Sequence, residues 1–374
     1  MTNNKDKKVL NVPNLRFPEF TEEWERCSLG HVTDFVKERI STDKLTLANY
    51  VSTENMKSDF GGINPAISIP NNTNVIHYKK GDVLLSNIRP YLRKVWAANS
   101  DGGCSTDVFV FRAKSISPSF LHYIMANDTF INYVMSGAKG VKMPRGDKEQ
   151  MLKYVFSIPR IEEQYKISRL LHLLDDRIAT QNKIIEDLKK LKSAISERFF
   201  TSINGDVVTL ADICDIVKGK QVNGEFLTDS GNYYVMNGGI EPSGYYDDYN
   251  TEANTISISE GGNSCGYVQF NTTPFWSGGH CYTIQNITNN VEKLYLYHYL
   301  KYNEDTIMKL RIGSGLPNIQ KKDLAKFRVI VPIIEQQKTI SAFLSLLERK
   351  VQVETDILIA VQSEKQYLLR QMFI

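Results

Sequence analysis

The chain has 374 residues, of which 42% are hydrophobic, 10% aromatic and 23% charged, and its formal net charge is +3. These values are typical of a soluble globular protein that is long enough for two domains with their own cores. No run of about 18 apolar residues is present, which excludes a membrane-spanning helix, and the polar start MTNNKDKKVLNVPNLRF lacks the apolar segment of a secretory signal, so we expect a cytoplasmic protein.

The five cysteines give no sign of a disulfide framework or a metal site. Their number is odd and they form no C-x-x-C pair. Cys265, His280 and Cys281 resemble part of a zinc site, but a fourth ligand at the usual spacing is missing. We therefore expect reduced cysteines and no metal.

Residues 1–15 form a basic arm that contains a proline and has little tendency to fold alone. A mixed α/β domain follows over residues 16–158. Its segment CSLGHVTDFVKER (27–39) has a counterpart, VTLADICDIVKGK (208–220), in a second domain over residues 201–331. The sequence therefore predicts a duplicated domain.

A strand followed by a loop occurs in both domains at a spacing of 173 positions. GDVLLSNIRPYLRKV (81–95) lies opposite NTISISEGGNSCGYV (254–268). Each begins as a short apolar strand and becomes a loop after Ser86 or Ser259. The strand pattern is shared but the loop residues differ: Asn87, Arg89, Tyr91, Arg93 and Lys94 in one copy, and Glu260, Gly261, Gly262, Asn263, Ser264 and Gly266 in the other.

Each domain ends with an amphipathic helix (120–135 and 294–310), a glycine-containing loop (137–150 and 313–323) and a last strand. Glycines let a backbone approach a phosphate closely, and their N–H groups can donate to it. The cations in and around these loops are candidates for phosphate contact: Lys139, Lys142 and Arg145 in the first domain, and Arg311, Lys321 and Lys322 in the second. The alternative is a solvated turn that contains lysine, but a basic glycine loop at the equivalent place in both copies favours the phosphate interpretation.

The segments 159–200 and 332–374 are the most similar parts of the two copies, and both predict long helices. Their apolar spacing of three and four residues over four heptads is typical of a coiled coil. The predicted seam is Leu171, Leu174, Ile178, Gln181, Ile185, Leu188, Lys192, Ile195 and Phe199 in the first helix and Leu344, Leu347, Val351, Glu354, Leu358, Val361, Lys365, Leu368 and Met372 in the second. Polar residues interrupt both seams at the same two places, which two unrelated helices in one core would not explain. About 38 helical residues give a rod on the order of 55 Å.

Net charge alone does not predict a nucleic-acid partner. Residues 16–158 carry 18 basic against 15 acidic residues, a balance of +3, whereas residues 201–331 carry 10 against 14, a balance of −4. If the second domain binds DNA, its cations must be gathered on one face, because phosphate attraction supplies non-specific affinity.

The chain is thus a globular domain and a long helix, repeated. We predict an α/β (α+β) fold with two globular domains, two long antiparallel coiled-coil helices and an approximate two-fold relation between the halves. Duplex DNA also has local two-fold axes, so such a protein would place one domain on each of two separated half-sites. Because the loops differ, the predicted DNA target is asymmetric, bipartite and interrupted.

Three features resemble the specificity subunit of type I restriction-modification enzymes: PRIEEQ and PIIEQQ opening the long helices, the GDVLLSNIRPYL strand and loop, and NVPNLRFPEFTEEWE near the start. The resemblance covers essentially the whole chain. It implies that residues 16–158 and 201–331 are target recognition domains, each reading one half of a split site in double-stranded DNA. It also implies that the two helices set the spacer and bind two methyltransferase subunits, through which restriction (translocase-nuclease) subunits join.

The resemblance implies a chain that is not catalytic and holds no cofactor. In the family, S-adenosylmethionine for adenine N6 methylation belongs to the methyltransferase partner, and ATP and magnesium belong to the restriction partner. The residues agree, because the chain has no Asn/Asp-Pro-Pro-aromatic site for a flipped adenine, no phosphate loop of the G-x-x-x-x-G-K-[ST] type and no Pro-Asp dipeptide. His122 and His298, at equivalent places in the two short helices, are expected to be packing or helix-surface residues.

Arginine bonds guanine O6 and N7 in pairs, asparagine bonds adenine N6 and N7, and lysine and tyrosine position the backbone. On this chemistry the expected DNA-binding residues of the first domain are Lys37, Arg39, Asn87, Arg89, Tyr91, Arg93, Lys94, Lys139, Lys142 and Arg145, and those of the second are Lys218, Lys220, Asn263, Ser264, Arg311, Asn318, Lys321 and Lys322. The alternative function is a scaffold whose coiled coil joins two ligand-binding domains that do not bind nucleic acid, and the −4 balance of the second domain favours it.

Overall fold

The computed structural model describes residues 11–313, 315 and 317–374, so most of the predicted arm 1–15 lies outside the described residues. The chain folds into two compact units. Unit 1 comprises the described residues up to Thr180 together with Leu358–Ile374, and unit 2 comprises Gln181–Ile357. Each unit therefore contains one globular domain and part of both long helices.

Unit 1 contains ten strands and the four short helices of the first domain. The strands are Glu25–Ser28 (β1), Thr33–Phe35 (β2), Arg39–Ser41 (β3), Tyr50–Val51 (β4), Asn74–Tyr78 (β5), Val83–Ser86 (β6), Val95–Ala97 (β7), Gly102–Cys104 (β8), Val108–Ala113 (β9) and Val155–Ile158 (β10). The helices are Leu29–Val32 (α1), Pro118–Met125 (α2), Asp128–Ser136 (α3), Lys148–Leu152 (α4) and the first part of Ile161–Ser202 (α5), and Thr42–Lys44 and Pro90–Leu92 are 3-10 turns.

Unit 1 is built on a four-stranded sheet in the order β2-β9-β6-β7, beside a second four-stranded sheet in the order β3-β5-β8-β4. The central strand β6 is apolar at every position up to Ser86, and Val83, Leu84 and Leu85 are fully buried. One core packs Val83 and Leu85 against the short helices and also includes residues of both long helices. The domain and the helix ends therefore share a single hydrophobic core.

Unit 2 repeats the four-stranded principal sheet, but its second sheet has three strands in place of four. Its strands are Asp206–Thr209 (β11), Asp215–Lys218 (β12), Tyr233–Met236 (β13), Tyr245–Tyr246 (β14), Thr255–Ser259 (β15), Val268–Asn271 (β16), Trp276–Ser277 (β17), Cys281–Gln285 (β18) and Arg328–Val331 (β19). Its helices are the rest of α5, Leu210–Ile213 (α6), Lys293–Tyr302 (α7), Glu304–Met308 (α8), Lys321–Ala325 (α9) and the first part of Ile334–Gln371 (α10), and Gly224–Phe226 is a 3-10 turn.

The principal sheet of unit 2 has the order β12-β18-β15-β16, which matches the principal sheet of unit 1 strand for strand. The register matches as well: Ser86 lies opposite Val108 in unit 1, and Ser259 lies opposite Cys281 in unit 2, both shifted by 173 positions. A shift of one residue would turn every side chain to the other face of the sheet. The predicted duplication is therefore confirmed at the level of individual strand pairs.

The single amphipathic helix predicted near the end of each domain is wrong, because both are broken in two. In unit 1, Asn127 separates α2 from α3 and its side chain accepts a hydrogen bond from the Thr129 N–H at 2.9 Å. In unit 2, Asn303 separates α7 from α8. The Asn127 side chain thus replaces a missing backbone partner at the start of α3, whereas Asn303 Nδ2 donates back to the Tyr299 carbonyl of α7 at 2.9 Å.

The two long helices confirm the predicted coiled coil. Helix α5 has 42 residues and α10 has 38. Every predicted seam position is buried or half-buried, and most positions between them are exposed. In unit 2, Lys192 contacts Glu348 and Phe199 contacts Phe343, and in unit 1 the Lys365 ammonium donates to Asp175. In unit 2 the residue of α10 that is contacted falls in number as α5 advances, from Glu354 at Gln181 to Phe343 at Phe199, so the helices run antiparallel.

The polar residues that interrupt the seam have partners. The Lys192 ammonium donates to Glu348 Oε1 at 2.6 Å, and the equivalent Lys365 donates to Asp175 Oδ1 at 2.5 Å. The tyrosines Tyr297 and Tyr123 donate to the same two carboxylates at 3.0 and 2.7 Å. Gln181 donates to the Glu354 backbone carbonyl at 2.9 Å and contacts its carboxylate. These bonds offset the burial of polar groups in the seam.

The glutamine of the P-x-I-E-x-Q segment attaches each long helix to its own domain. In unit 1, Gln164 Nε2 donates to the Pro159 carbonyl at 2.9 Å, and its Oε1 accepts from the Ser117 N–H at 2.8 Å. In unit 2, Gln337 makes the same pair of bonds, to the Pro332 carbonyl at 2.7 Å and from the Glu292 N–H at 2.8 Å. The motif thus joins the start of each long helix to the residue before α2 in unit 1 and before α7 in unit 2.

The described part of the N-terminal segment packs on unit 1. The Arg16 guanidinium donates two hydrogen bonds of 2.7 Å to the Glu163 carboxylate, which is 1% exposed. The Leu15 N–H donates to the Gln371 carbonyl at 2.9 Å, so this segment contacts both α5 and the end of α10.

Candidate nucleic-acid interface

In unit 1 the loop after β6 and the glycine loop before α4 lie side by side. The Arg89 N–H donates to the Pro144 carbonyl at 2.8 Å, and the Gly146 N–H donates to the Asn87 carbonyl at 3.2 Å. Lys139 and Arg145 exchange two backbone hydrogen bonds of 2.9 Å, which make residues 139–145 a hairpin tip. We call this pair of loops, residues 87–94 and 137–147, loop pair 1.

Unit 2 contains the same pair. The Gly262 N–H donates to the Pro317 carbonyl at 3.0 Å, and the Ile319 N–H donates to the Glu260 carbonyl at 2.8 Å. Ile312 and Asn318 pair as Lys139 and Arg145 do. Every one of these contacts is displaced by 173 positions from its counterpart in unit 1. We call residues 260–267 and 311–322 loop pair 2; Ser314 and Leu316 within it lie outside the described residues.

The loop after β6 has an unusual backbone. Arg89 and Arg93 stand on either side of the 3-10 turn Pro90–Leu92, and both have left-handed conformations, with φ of 51° and 54°. Such values are uncommon for residues other than glycine and are retained where surrounding contacts enforce them. Here they turn the chain sharply twice within five residues.

Arg93 supplies the enforcing contacts of this loop. Its guanidinium donates to Asp128 Oδ1 at 3.0 Å, contacts the Asp59 carboxylate and lies 5.7 Å from the Phe60 ring centroid. The carboxylates of Asp59 and Asp128 raise the pKa of this guanidinium. Arg89 is exposed and makes no side-chain hydrogen bond or ion pair within the part of the chain that the structure describes. The two arginines therefore have different surroundings, one held by protein and one turned to solvent.

Other predicted DNA-binding residues of the first domain also differ in whether protein groups or solvent surround them. Lys94 donates to the Thr53 carbonyl at 2.6 Å, and Arg39 donates to the Asn74 carbonyl at 3.2 Å. Asn87 is buried, 9% exposed, and its Oδ1 has no hydrogen-bond partner. Lys37 is exposed in the segment between β2 and β3.

Four predicted residues of loop pair 1 are exposed besides Arg89: Tyr91, Lys139, Lys142 and Arg145. Arg145 donates to Asp107 at 2.7 Å and Lys139 to Asp147 at 3.0 Å. The bond from Lys139 lowers the pKa of the Asp147 carboxyl. Val141 and Met143 are exposed beside Lys142 at the hairpin tip. Loop pair 1 thus presents a mixed basic and apolar surface.

In unit 2, most of the predicted residues lie in or beside loop pair 2. Exposed members are Asn263, Arg311, Asn318, Lys321 and Lys322, and Ser264 is half-buried. Lys321 and Lys322 open helix α9. Lys220 is exposed after β12, and its carbonyl accepts from the Trp276 ring N–H at 2.7 Å.

Lys218 has a partner that the sequence did not reveal. Its ammonium donates to Glu260 Oε1 at 2.7 Å, and the Tyr282 hydroxyl donates to the same oxygen at 3.0 Å. Burial, followed by the bond to this carboxylate, raises the pKa of the Tyr282 phenol. Glu260 is 8% exposed, and its Oε2 has no hydrogen-bond partner.

Glu260 borders a cleft of about 500 Å³ in unit 2, lined also by Lys218, Asn237, Gly261, Gly262, His280 and Asn318. Sequence reasoning passed over this glutamate because it favoured cations and amides. The signal was present, since Glu260 is aligned with the selected Asn87 at the repeat spacing of 173.

The described residues contain no cluster of potential metal ligands. No group of three or more His, Cys, Asp or Glu side chains within them is placed to bind a metal ion, and the five cysteines are unpaired. Burial lowers the pKa of both His122 and His298 to about 4, so both rings are neutral at pH 7. Among the described helices, none combines the length and apolarity needed to cross a membrane.

Comparisons with known proteins agree on one family. The model of the type I restriction modification DNA specificity domain matches residues 21–190 and again residues 204–363. The chain is 32% identical over 154 residues to a type I specificity subunit of Mycoplasma pneumoniae, a match that covers 41% of either chain. It is 21% identical over 407 residues to the type I restriction enzyme MjaVIII specificity subunit of Methanocaldococcus jannaschii, covering 94% of this chain and 91% of that one. The match thus spans about two fifths of the Mycoplasma relatives and most of the archaeal one.

Solved structures share the fold. The crystal structure of a type I restriction-modification S subunit from M. genitalium superposes with a TM-score of 0.73 at 18% identity, covering 97% of this chain and 99% of that one. A chain from a structure on complex assembly and conformational transition of the type I R-M system gives a TM-score of 0.55 at 21% identity, covering 92% and 96%.

Proposed function

Because the chain belongs to the family of type I restriction modification DNA specificity domains, we propose that it is the DNA-recognition subunit of a type I restriction-modification complex and that loop pairs 1 and 2 each read one half of a bipartite DNA target. The observation that carries this proposal is the recurrence of one backbone arrangement with different side chains. Arg89 faces solvent in loop pair 1 where Gly262 stands in loop pair 2, and Arg145 corresponds to Asn318. A shared framework with unlike contacts suits a target whose halves differ.

The chemistry of loop pair 1 supports base contact by Arg89 and backbone contact by the hairpin tip. An exposed arginine without an internal partner can bond guanine O6 and N7 in pairs. Lys142 at the tip is a candidate phosphate contact. Arg93 positions the loop through Asp59 and Asp128, since its hydrogen bonds are taken up within the protein.

The acidic balance of the second domain is compatible with DNA binding because its cations are concentrated. Of the 10 basic residues in 201–331, five stand in or beside loop pair 2 or the adjoining cleft: Lys218, Lys220, Arg311, Lys321 and Lys322. Local charge, and not the total, determines attraction to the phosphates that such a surface meets.

We assign no catalysis to this chain. Methyl transfer and DNA cleavage, with S-adenosylmethionine, ATP and magnesium, belong to partner subunits in this proposal. Two methyltransferase subunits dock on the long helices, restriction subunits join through them, and the helices set the number of bases between the half-sites. The repeated helix segments support two equivalent docking places, and the polar pairs of the seam supply a fixed register.

The proposal is tested by expressing the chain with its cognate methyltransferase subunit and mapping N6-methyladenine across the host genome. We expect methylation at one asymmetric sequence made of two short half-sites separated by a spacer of fixed length. Omitting the chain is the matched control and is expected to abolish site-specific methylation. Methylation of a single uninterrupted site, or the same methylation without the chain, would refute the proposal.

A further inference from the structure

Glu260 stands where the two segments of loop pair 2 and strand β18 meet. It follows directly after β15, its N–H donates to the His280 carbonyl at 2.9 Å, and its carbonyl accepts from the Ile319 N–H at 2.8 Å. The backbone of this residue is therefore fixed by neighbours on both sides. The Glu260 side chain therefore extends from a fixed backbone position beside the cleft.

Only one of the two oxygens of the Glu260 carboxylate accepts hydrogen bonds. Oε1 accepts from Lys218 at 2.7 Å and from Tyr282 at 3.0 Å, while Oε2 accepts no hydrogen bond. His280 Nδ1 lies 3.7 Å from Oε2, beyond hydrogen-bond distance, and the His280 side chain is largely exposed. A carboxylate that is more than nine-tenths buried with an unused acceptor is rare in folded proteins and points to a missing donor.

The cleft beside Glu260 has room for that donor. Its volume is about 500 Å³, and part of its edge is formed by Gly261 and Gly262. A side chain added at Gly262 would meet no atom within 4 Å, so the backbone there borders open space. Glu260 and His280, whose Nδ1 lies 3.7 Å from Oε2, both line this cleft.

We propose that Glu260 is a specificity-determining residue of the second half-site, whose Oε2 accepts a hydrogen bond from the exocyclic amino group of a base. This inference rests on the proposed DNA-recognition function. Cytosine N4 and adenine N6 both carry the required amino group in the major groove. Guanine O6 and thymine O4 are acceptors, so the carboxylate repels them and discriminates amino bases from keto bases.

The charges around the cleft exclude a phosphate as the occupant of this acceptor. A carboxylate oxygen repels a phosphate oxygen, and the Lys218 charge that would attract one is directed to Glu260 Oε1. A metal ion is equally unsuited, because the described residues contain no cluster of three potential ligands. A neutral amino group is the remaining donor that DNA offers.

The equivalent position in unit 1 has the same character with a different side chain. Asn87 is also buried, and its Oδ1 also lacks a partner. An amide offers both an acceptor and a donor, whereas a carboxylate offers acceptors only. One structural position therefore differs in chemistry between the two halves, which is what an asymmetric target requires.

The test is Glu260→Gln, expressed with the cognate methyltransferase subunit, with methylated sites mapped as for the wild-type chain. Glutamine keeps an acceptor and adds a donor. We expect sites with guanine or thymine at one position of the second half-site to gain methylation roughly 5- to 150-fold relative to sites with an amino base. The first half-site and the spacer remain unchanged, which provides an internal control for folding and assembly. Glu252→Gln, an exposed carboxylate of the same unit, is the matched control and is expected to leave the map as it is.

An unchanged second half-site in Glu260→Gln would overturn the inference. So would complete loss of methylation by a variant that melts at the wild-type temperature, because glutamine still accepts from an amino group. If the variant melts earlier and is inactive, Glu260→Asp decides, since it keeps the charge but shortens the side chain: slower methylation of the wild-type sites is expected, and the wild-type rate would refute the inference. The base at the affected position of the wild-type site distinguishes cytosine from adenine. Failure of the proposed function is seen separately, as absence of site-specific methylation with the wild-type chain.

Discussion

We predict that the ion pair between Arg16 and Glu163 makes a large contribution to the free energy of unfolding of unit 1. Glu163 is 1% exposed and Arg16 13%, and two hydrogen bonds of 2.7 Å join them. Arg16→Ala leaves a buried carboxylate without a partner, which costs about 3–5 kcal/mol. Removing the charge as well, in Arg16→Ala with Glu163→Gln, should recover about 2 kcal/mol of that loss, because a buried amide is less costly than a buried charge.

The assay is urea unfolding followed by tryptophan fluorescence. In a Trp276→Phe background the two remaining tryptophans, Trp24 and Trp96, both belong to unit 1. Glu19→Ala, which removes the exposed partner of Lys166, is the control and should cost no more than about 1 kcal/mol. If Arg16→Ala costs as little as this control, or if the double variant is no more stable than Arg16→Ala, the pair does not act as a buried ion pair and the reasoning fails.

Three further predictions follow from the loops and helices. Arg89→Ala should relax one half-site at a cost of about 1–3 kcal/mol in discrimination, measured by methylation mapping; identical sites at identical rates would contradict it. Burial lowers the pKa of His122 and His298 to about 4 in the folded chain, against 6.5 in the unfolded chain. The contribution of these neutral rings to the free energy of unfolding is therefore complete above pH 6.5, and about 3 kcal/mol for each is lost as the pH falls towards 4. Melting temperatures from pH 7 to 4 should fall less steeply in His298→Gln, and parallel curves would count against this. Inserting one heptad into α5 lengthens that helix by about 10 Å, so it should change the spacer or abolish methylation, and an unchanged spacer would reject the role of the helix as a ruler.

The repeated framework was predictable from the sequence because its physical signals are local and periodic. The seam positions are marked by their spacing alone, and the strand β6 is marked by its run of apolar residues. An offset of 173 positions then relates the strand-and-loop segments and the long helices of the two copies. The approximate two-fold relation between the halves followed from the predicted antiparallel pairing of the two helices.

Loop geometry was less predictable, because contacts distant in sequence determine it. Lys94 and Arg93 are basic residues in the predicted loop, but Thr53 and Asp59, about 35 to 40 positions earlier, take up their donors. The side-by-side placement of the two loops depends on backbone bonds such as that between Arg89 and Pro144, 55 positions apart. Neither kind of contact leaves a periodic signal.

The sheets and long helices are held by backbone hydrogen bonds that do not depend on the loop side chains, which explains how the two copies can share a framework and have different loops. Gln164 and Gln337 hold each long helix to its own domain through backbone groups, and they do so with the same two bonds in both units. Backbone partners remain in place whatever side chains the loops carry. Residues 87 and 260 are likewise fixed by backbone bonds to the neighbouring loop, while their side chains differ in hydrogen-bonding capacity. If the loop pairs read DNA as proposed, exchanging such a side chain would alter what a loop pair recognises without altering how its domain is attached to the helices, and each half-site could change independently of the other.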